Sequence, residues 1–199
     1  NIISYWWVHR HNKKKLNKRG KGDKIAVIFA EGSIVDGQGT EGSIGGDKYA
    51  GIIRKIRKDD KVKAIVIRVN SGGGSALASE LIWREIEKAK EQGIKVVTSM
   101  GDVAASGGYY IASNSEKIFA ESNTITGSIG VFGMIPNMRE LYEEHLGLTM
   151  DTVKTGRFST MSSGGGQFYE FTEEEGAIIT QSIQEIYDIF KTRVSEGRK

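Results

Sequence analysis

Ser106 lies in the stretch 101–112, Gly-Asp-Val-Ala-Ala-Ser-Gly-Gly-Tyr-Tyr-Ile-Ala, between two alanines and two glycines. Small neighbours let a substrate backbone come close to a hydroxyl, and glycines let amides point at a developing charge. The residues after Ser106 read as the opening turns of a short helix, with amide donors and the positive end of the dipole beside the serine. That setting suits a nucleophile whose product is an oxyanion. It also suits an N-cap serine, a far commoner use of the residue. This stretch alone leaves both open.

A second stretch bears on the choice. Residues 64–75 read Ala-Ile-Val-Ile-Arg-Val-Asn-Ser-Gly-Gly-Gly-Ser, an apolar strand running straight into three glycines. Glycine amides after a strand make an anion pocket. A Walker loop is excluded because no Gly-Lys-Ser/Thr follows, and the dinucleotide fingerprint because its G-x-G-x-x-G spacing is absent. A plain tight turn stays open.

The elements that position these stretches follow from periodicity. Residues 24–30 read as a strand and 36–46 as a mobile, Gly-rich loop. Tyr49, Ile52, Ile53 and Ile56 keep helical spacing over 46–58. The strand 62–69 is nearly all apolar, as a parallel strand buried on both faces should be. Leu77, Leu81, Ile82 and Ile86 form one face of a helix ending near Gly93, before a strand at 94–100, the Ser106 helix and a strand at 118–120. This order predicts right-handed crossovers and a mainly parallel sheet. Beyond it come a helix at 137–145, a strand at 148–154, a loop at 156–167 whose 162–166 is mobile, and a helix at 172–194 with the stripe Ile179, Ile183, Ile186 and Phe190. Thr172 before three glutamates suits a helix start.

Composition narrows the chemistry. A chain of 199 residues can bury a core as one α/β domain. It begins with Asn, so a fragment of a longer chain is expected. There are no cysteines, which excludes disulfides, thiol catalysis and Cys-ligated zinc. His9, His11 and His145 are too few and scattered for a metal site. Residues 9–24 carry eight Lys or Arg and one acid, against 20 bases and 24 acids elsewhere. Residues 1–23 therefore read as a basic linker or arm, and 24–199 as the folded domain. The apolar run at 2–8 is too short to span a bilayer. It reads as a linker with packed aromatics or as a segment resting on an anionic surface. No basic stripe continues into the folded part, which argues against nucleic-acid binding.

Three motifs in one order, Arg68-Val-Asn-Ser-Gly-Gly-Gly-Ser75, the Ser106 stretch and Thr126-Gly-Ser-Ile-Gly-Val-Phe-Gly133, resemble the signal peptide peptidase SppA family, protease IV. The resemblance runs from about Lys24 to the C-terminus. It departs at Gly72, where family members usually have proline.

The resemblance implies a serine peptidase of ClpP/crotonase fold with Ser106 as nucleophile. Its oxyanion donors would be the amides of Gly107 and of Gly73 or Gly74. Ser128 would orient the base. Asp102 reads as a supporting group or a solvated turn residue. A serine needs a base, and no histidine stands where a ClpP-type triad would keep one. His145 reads as structural, near a helix C-terminus. The family uses a lysine instead, whose pKa burial can lower toward neutrality. Single-domain members keep it just past a Lys-Ser-Gly turn. Here the matching turn is Lys154-Thr155-Gly156, and the lysine position falls at about Ser159. Tandem members carry the serine in the C-terminal half and the lysine in the N-terminal half, and this chain is similar to that C-terminal half. The resemblance further implies apolar signal peptides as substrates and a groove lined by Tyr109, Tyr110, Val131 and Phe132. It implies a homo-oligomeric ring, no cofactor or metal, and association with a bacterial-type inner membrane through regions outside this chain, with the active domain outside the bilayer. An acyl-CoA enzyme of the same fold and a non-catalytic assembly domain are the rival readings.

Overall fold

The computed structural model describes residues 2–4, 22–159, 161 and 168–198. Most of the basic arm and the expected mobile segment at 162–166 lie outside the described residues. The chain divides into two compact units, Asn1–Gly130 with Ile189–Lys199, and Val131–Asp188.

The first unit is built on strands β1 (Ile2–Ser4), β2 (Lys24–Glu31), β3 (Ser33–Val35), β4 (Ser43–Gly45), β5 (Val62–Ser71), β6 (Lys95–Ala105), β7 (Lys117–Phe119) and β8 (Ile125–Gly127). The main sheet runs β1-β2-β5-β6-β7, with β8 pairing farther along β6, and all its ladders are parallel. This is the ClpP/crotonase-like α/β class that the sequence implied. Ile2–Ser4, read as part of the arm, line up beside Ile25–Val27. The Gly-rich loop carries a small parallel pair, β3 with β4.

Helices α1 (Gly46–Arg57) and α2 (Ala76–Glu91) cover the sheet with the buried stripes Tyr49, Ile53, Ile56 and Ala78, Ile82, Ile86, Ala89. The α2 stripe is turned from the expected one, and Leu77 is 64% exposed. The reason is close helix contact: a Cβ on Gly46 would lie 2.8 Å from Ala78 Cβ, so only a small residue fits there. Ser75 caps α2, its Oγ accepting from the Ala78 amide at 3.1 Å. The strand β5 alternates buried and half-buried residues, so its second face is only half covered, not fully buried as expected.

Glu85 on α2 is buried and receives Arg54 Nη2 at 2.9 Å and Arg57 Nε at 3.0 Å from α1, and Lys88 Nζ at 3.2 Å. Burial alone would raise its pKa, but these three donors outweigh it and hold the carboxyl down at about 2.

In the second unit the expected helix at 137–145 is reduced to a π-turn, Leu141–His145, after one short turn. The expected strand at 148–154 is absent among the described residues. A strand needs a ladder partner, and here the Met150 carbonyl accepts instead from Tyr169 Oη at 2.9 Å. Helix α4 (Glu173–Gly197) begins with a reciprocal cap. Thr172 Oγ1 accepts from the Glu175 amide at 3.2 Å, and Glu175 Oε2 accepts from the Thr172 amide at 2.9 Å. No helix among the described residues is long and apolar enough to cross a membrane.

Candidate active site

Ser106 stands between β6 and the six-residue helix α3 (Gly107–Ala112), half-buried, with φ 50° and ψ −122°. Its side chain caps no helix amide, so the capping use of this serine does not apply. A positive φ is costly for a residue with a Cβ and persists only where the surroundings enforce it. Among the described residues only Ser106 and Ser128 (φ 48°) combine a side chain with a positive φ. The two are linked, because the Ser106 amide donates to the carbonyl of Gly127 at 2.9 Å. Ser128 follows at once and is exposed.

The glycine loop meets this serine. Gly73 has φ 100°, and a Cβ on it would lie 2.6 Å from the Gly107 amide nitrogen and 2.9 Å from Ser106 Cβ. Gly74 has φ 146°, and a Cβ there would lie 2.0 Å from the Ile34 carbonyl oxygen. Both positions are therefore restricted to glycine. Gly72 differs: nothing lies within 4 Å of its Cβ position. The site that proline fills in the family is the tolerant one of the three.

Hydrogen bonds fix the loop. Ser71 Oγ donates to the Gly32 carbonyl at 2.6 Å and accepts from the Gly73 amide at 3.1 Å. Ile34 donates to the Gly73 carbonyl at 2.9 Å, and Ser75 donates to the Ile34 carbonyl at 2.9 Å. The Gly73 amide is thus committed to Ser71, which favours Gly74 over Gly73 as a donor to substrate.

On the other edge of β6, Thr126 Oγ1 donates to the Ala104 carbonyl at 2.8 Å and Thr124 Oγ1 to the Gly101 carbonyl at 2.9 Å. Ser71, Asn70, Thr124 and Thr126 were not singled out from sequence. The signal was their place at strand ends inside the recognised motifs, but a short polar side chain there looks like any turn residue. Asp102 is exposed.

Tyr110 does not line a groove as expected. It is 3% exposed, packs against Phe190 with ring centroids 4.7 Å apart, and donates from Oη to Glu80 Oε2 at 2.5 Å. Burial, then the Glu80 carboxylate, push its pKa up. Glu80 also pairs with Arg193 at 2.8 Å, and Arg193 stacks 4.1 Å over Trp83. Helix α3 is thereby anchored from behind by the end of α4. Tyr109 is half-buried, while Val131, Phe132, His145, Lys154 and Ser159 belong to the second unit. In the first unit Lys24, Lys88, Lys90 and Lys95 pair with Asp59, Glu85, Glu87 and Glu116.

A profile of Peptidase family S49 matches residues 88–199. Protease 4 of Haemophilus influenzae is 44% identical over 177 residues, covering 89% of this chain. Protease 4 of Salmonella typhi is 45% identical over 178 residues, also 89% of the chain. The chloroplastic serine protease SPPA of Arabidopsis thaliana is 39% identical over 190 residues, 94% of the chain. The chain spans 28% of the length of each of these relatives. With a strained serine at a strand end, a glycine loop packed on it, and these matches, the chain belongs to peptidase family S49.

Proposed function

We propose that the chain is the nucleophile-bearing half of a Ser/Lys endopeptidase that degrades cleaved signal peptides at a membrane. The observation that carries this is the contact of the glycine loop with Ser106, which sits in a backbone conformation serine rarely adopts. In this reading Ser106 Oγ attacks the scissile carbonyl and passes its proton to a neutral lysine. The amides of Gly107 and Gly74 receive the oxyanion, a stabilisation that strengthens as charge develops. The lysine then protonates the leaving amine, and water cleaves the acyl-enzyme. Ser128, joined to Ser106 through Gly127, orients the lysine.

The lysine comes from an upstream half of the protein, since the residue at the expected position here is Ser159. Apolar substrates fit the exposed side chains of Ile125 and Ile129, which flank Ser128. Membrane association through other regions and assembly into a ring complete the proposal.

The test uses the full-length protein and an apolar peptide substrate. Ser106→Ala should reduce kcat by on the order of 10⁶-fold, and a fluorophosphonate should label Ser106 alone. Lys154→Ala should leave hydrolysis intact. Full activity of Ser106→Ala sinks the nucleophile assignment, and loss of activity in a folded Lys154→Ala places the base within this chain.

A further inference from the structure

The pairing of β5 with β6 is not regular. Val69 pairs with Met100, but Ser71 pairs with Ala104. Two steps along β5 therefore correspond to four along β6. Asn70 alone faces Gly101, Asp102 and Val103. A regular ladder would set Ser71 opposite Asp102 and bring Gly73 level with Ala104. The two extra residues of the bulge draw β6 back, so that Gly73 comes level with Ser106 and packs against its Cβ. Because strand side chains alternate with period two, a two-residue bulge changes the position of Ser106 along the sheet and keeps its face.

Asn70 fills this bulge. Its Oδ1 accepts from the Val103 amide at 3.1 Å, the amide freed where the ladder breaks. Its backbone carbonyl accepts from the Gly32 amide at 3.0 Å. Its side chain occupies the space at Gly101, where a Cβ would lie 2.9 Å from Asn70 Cβ, Cγ and Oδ1. Arg68 braces the strand just before the break, Nη1 donating to the Met100 carbonyl at 2.5 Å. Bulges next to active sites commonly re-aim a side chain.

We propose that Asn70 is a positioning residue for catalysis, plugging the β6 bulge and so setting the register that aligns the glycine loop with Ser106. This rests on Ser106 being the nucleophile. Asn70 touches no reacting atom. It acts through Val103 and Gly101 on the placement of Ser106.

The experiment measures peptide hydrolysis, fluorophosphonate labelling of Ser106 and thermal melting in the full-length protein. Asn70→Ala should lower kcat and the labelling rate by about 10²-fold, the loss typical of a misplacement near 1 Å, with KM within about twofold of the parent by the same logic of lost positioning. Asn70→Asp keeps an oxygen at Oδ1 and should recover most of the labelling rate. Should Asn70→Ala fail to fold, Asn70→Ser carries the test: its hydroxyl falls short of the Val103 amide, and it should label at least about tenfold slower. Gly101→Ala should slow labelling as well, and less so in the Asn70→Ala background, where the plug is gone. Parent kcat and labelling in a folded Asn70→Ala or Asn70→Ser overturns the inference. Full activity of the Ser106→Ala control would instead overturn the nucleophile assignment.

Discussion

The two units of this chain handle apolar residues in opposite ways. Asn1–Gly130 with Ile189–Lys199 buries isoleucines and valines from the sheet, α1 and α2 in a single cluster. In Val131–Asp188 the sole buried residue among those described is Glu175, while Phe132 is 91% and Val153 93% exposed. The difference follows from what each backbone can pair with. In the first unit, parallel strands satisfy one another's amides, so apolar side chains meet across a sheet face. Among the described residues of the second, a π-turn, loops and the start of α4 form no second layer, and apolar side chains stay exposed. An apolar surface of this kind marks a place for substrate or another protein surface. In the proposed function the first unit would hold Ser106 in place and the second would offer apolar contact area.

This contrast is broken most sharply by adding one methyl group to each unit. A Cβ on Gly107 would lie 2.6 Å from Ser79 Oγ, 3.2 Å from Ile34 Cδ1 and 3.3 Å from Gly73 Cα. Ser79 is held by its own bond to the Ser75 carbonyl at 2.8 Å. If Ser106 is the nucleophile, Gly107→Ala should displace the amide next to it and lower kcat by about 10²–10³-fold, the usual loss of one oxyanion donor. Gly133→Ala meets nothing within 4 Å and should not change the fold. Steady-state kinetics and melting of both variants make the check. Equal kinetics for Gly107→Ala and the parent would remove Gly107 from the site.

The next effect is electrostatic. Glu85→Gln leaves Arg57 facing a neutral partner across the α1–α2 contact. Removing one member of a buried ion pair costs about 3 kcal/mol, which lowers Tm by roughly 6–12 °C in a chain of this size. The sign of its pH dependence is fixed by the depressed pKa, about 2 in the folded chain against about 4.3 unfolded. Its contribution is fully present above about pH 4.3 and is lost as pH falls toward 2. The stability gap between parent and Glu85→Gln should thus be constant at neutral pH and close between about pH 4 and 2 in denaturant melts, by that linkage. Glu175 in the second unit is also lowered, by the Thr172 amide and hydroxyl, and shares the direction of this pH dependence.

How much of this was legible in sequence differs between the same two regions. The strands expected at 62–69 and 94–100, which run on to Ser71 and Ala105, and helices α1 and α2 announce themselves because their apolar residues recur with the period of the element that buries them. Ser106 and the glycine loop were legible as motifs, and Gly73 and Gly74 because their φ values demand glycine. The bulge was not legible, since register is a relation between two strands and neither Asn70 nor Gly101 signals it alone. The face of α2 was misjudged at Leu77 because the apposition of Gly46 and Ala78 is a tertiary fact. The strand expected at 148–154 does not form because Leu148 and Met150 alternate as in a strand but have no pairing edge among the described residues.

The smallest expected effect bears on what those apolar residues are for. Val153→Ser should shift stability by less than about 0.5 kcal/mol, as for surface substitutions generally. Ile67→Ala, in the sheet core, should cost about 2–5 kcal/mol. If Val153 serves substrate or assembly, Val153→Ser should raise KM for an apolar peptide or lower the molar mass of the full-length protein in sedimentation, with Tm unchanged. A Tm loss as large as that of Ile67→Ala would mean that Val153 is buried in the folded protein. The second unit would then be a structural layer, and the contrast with the first would disappear.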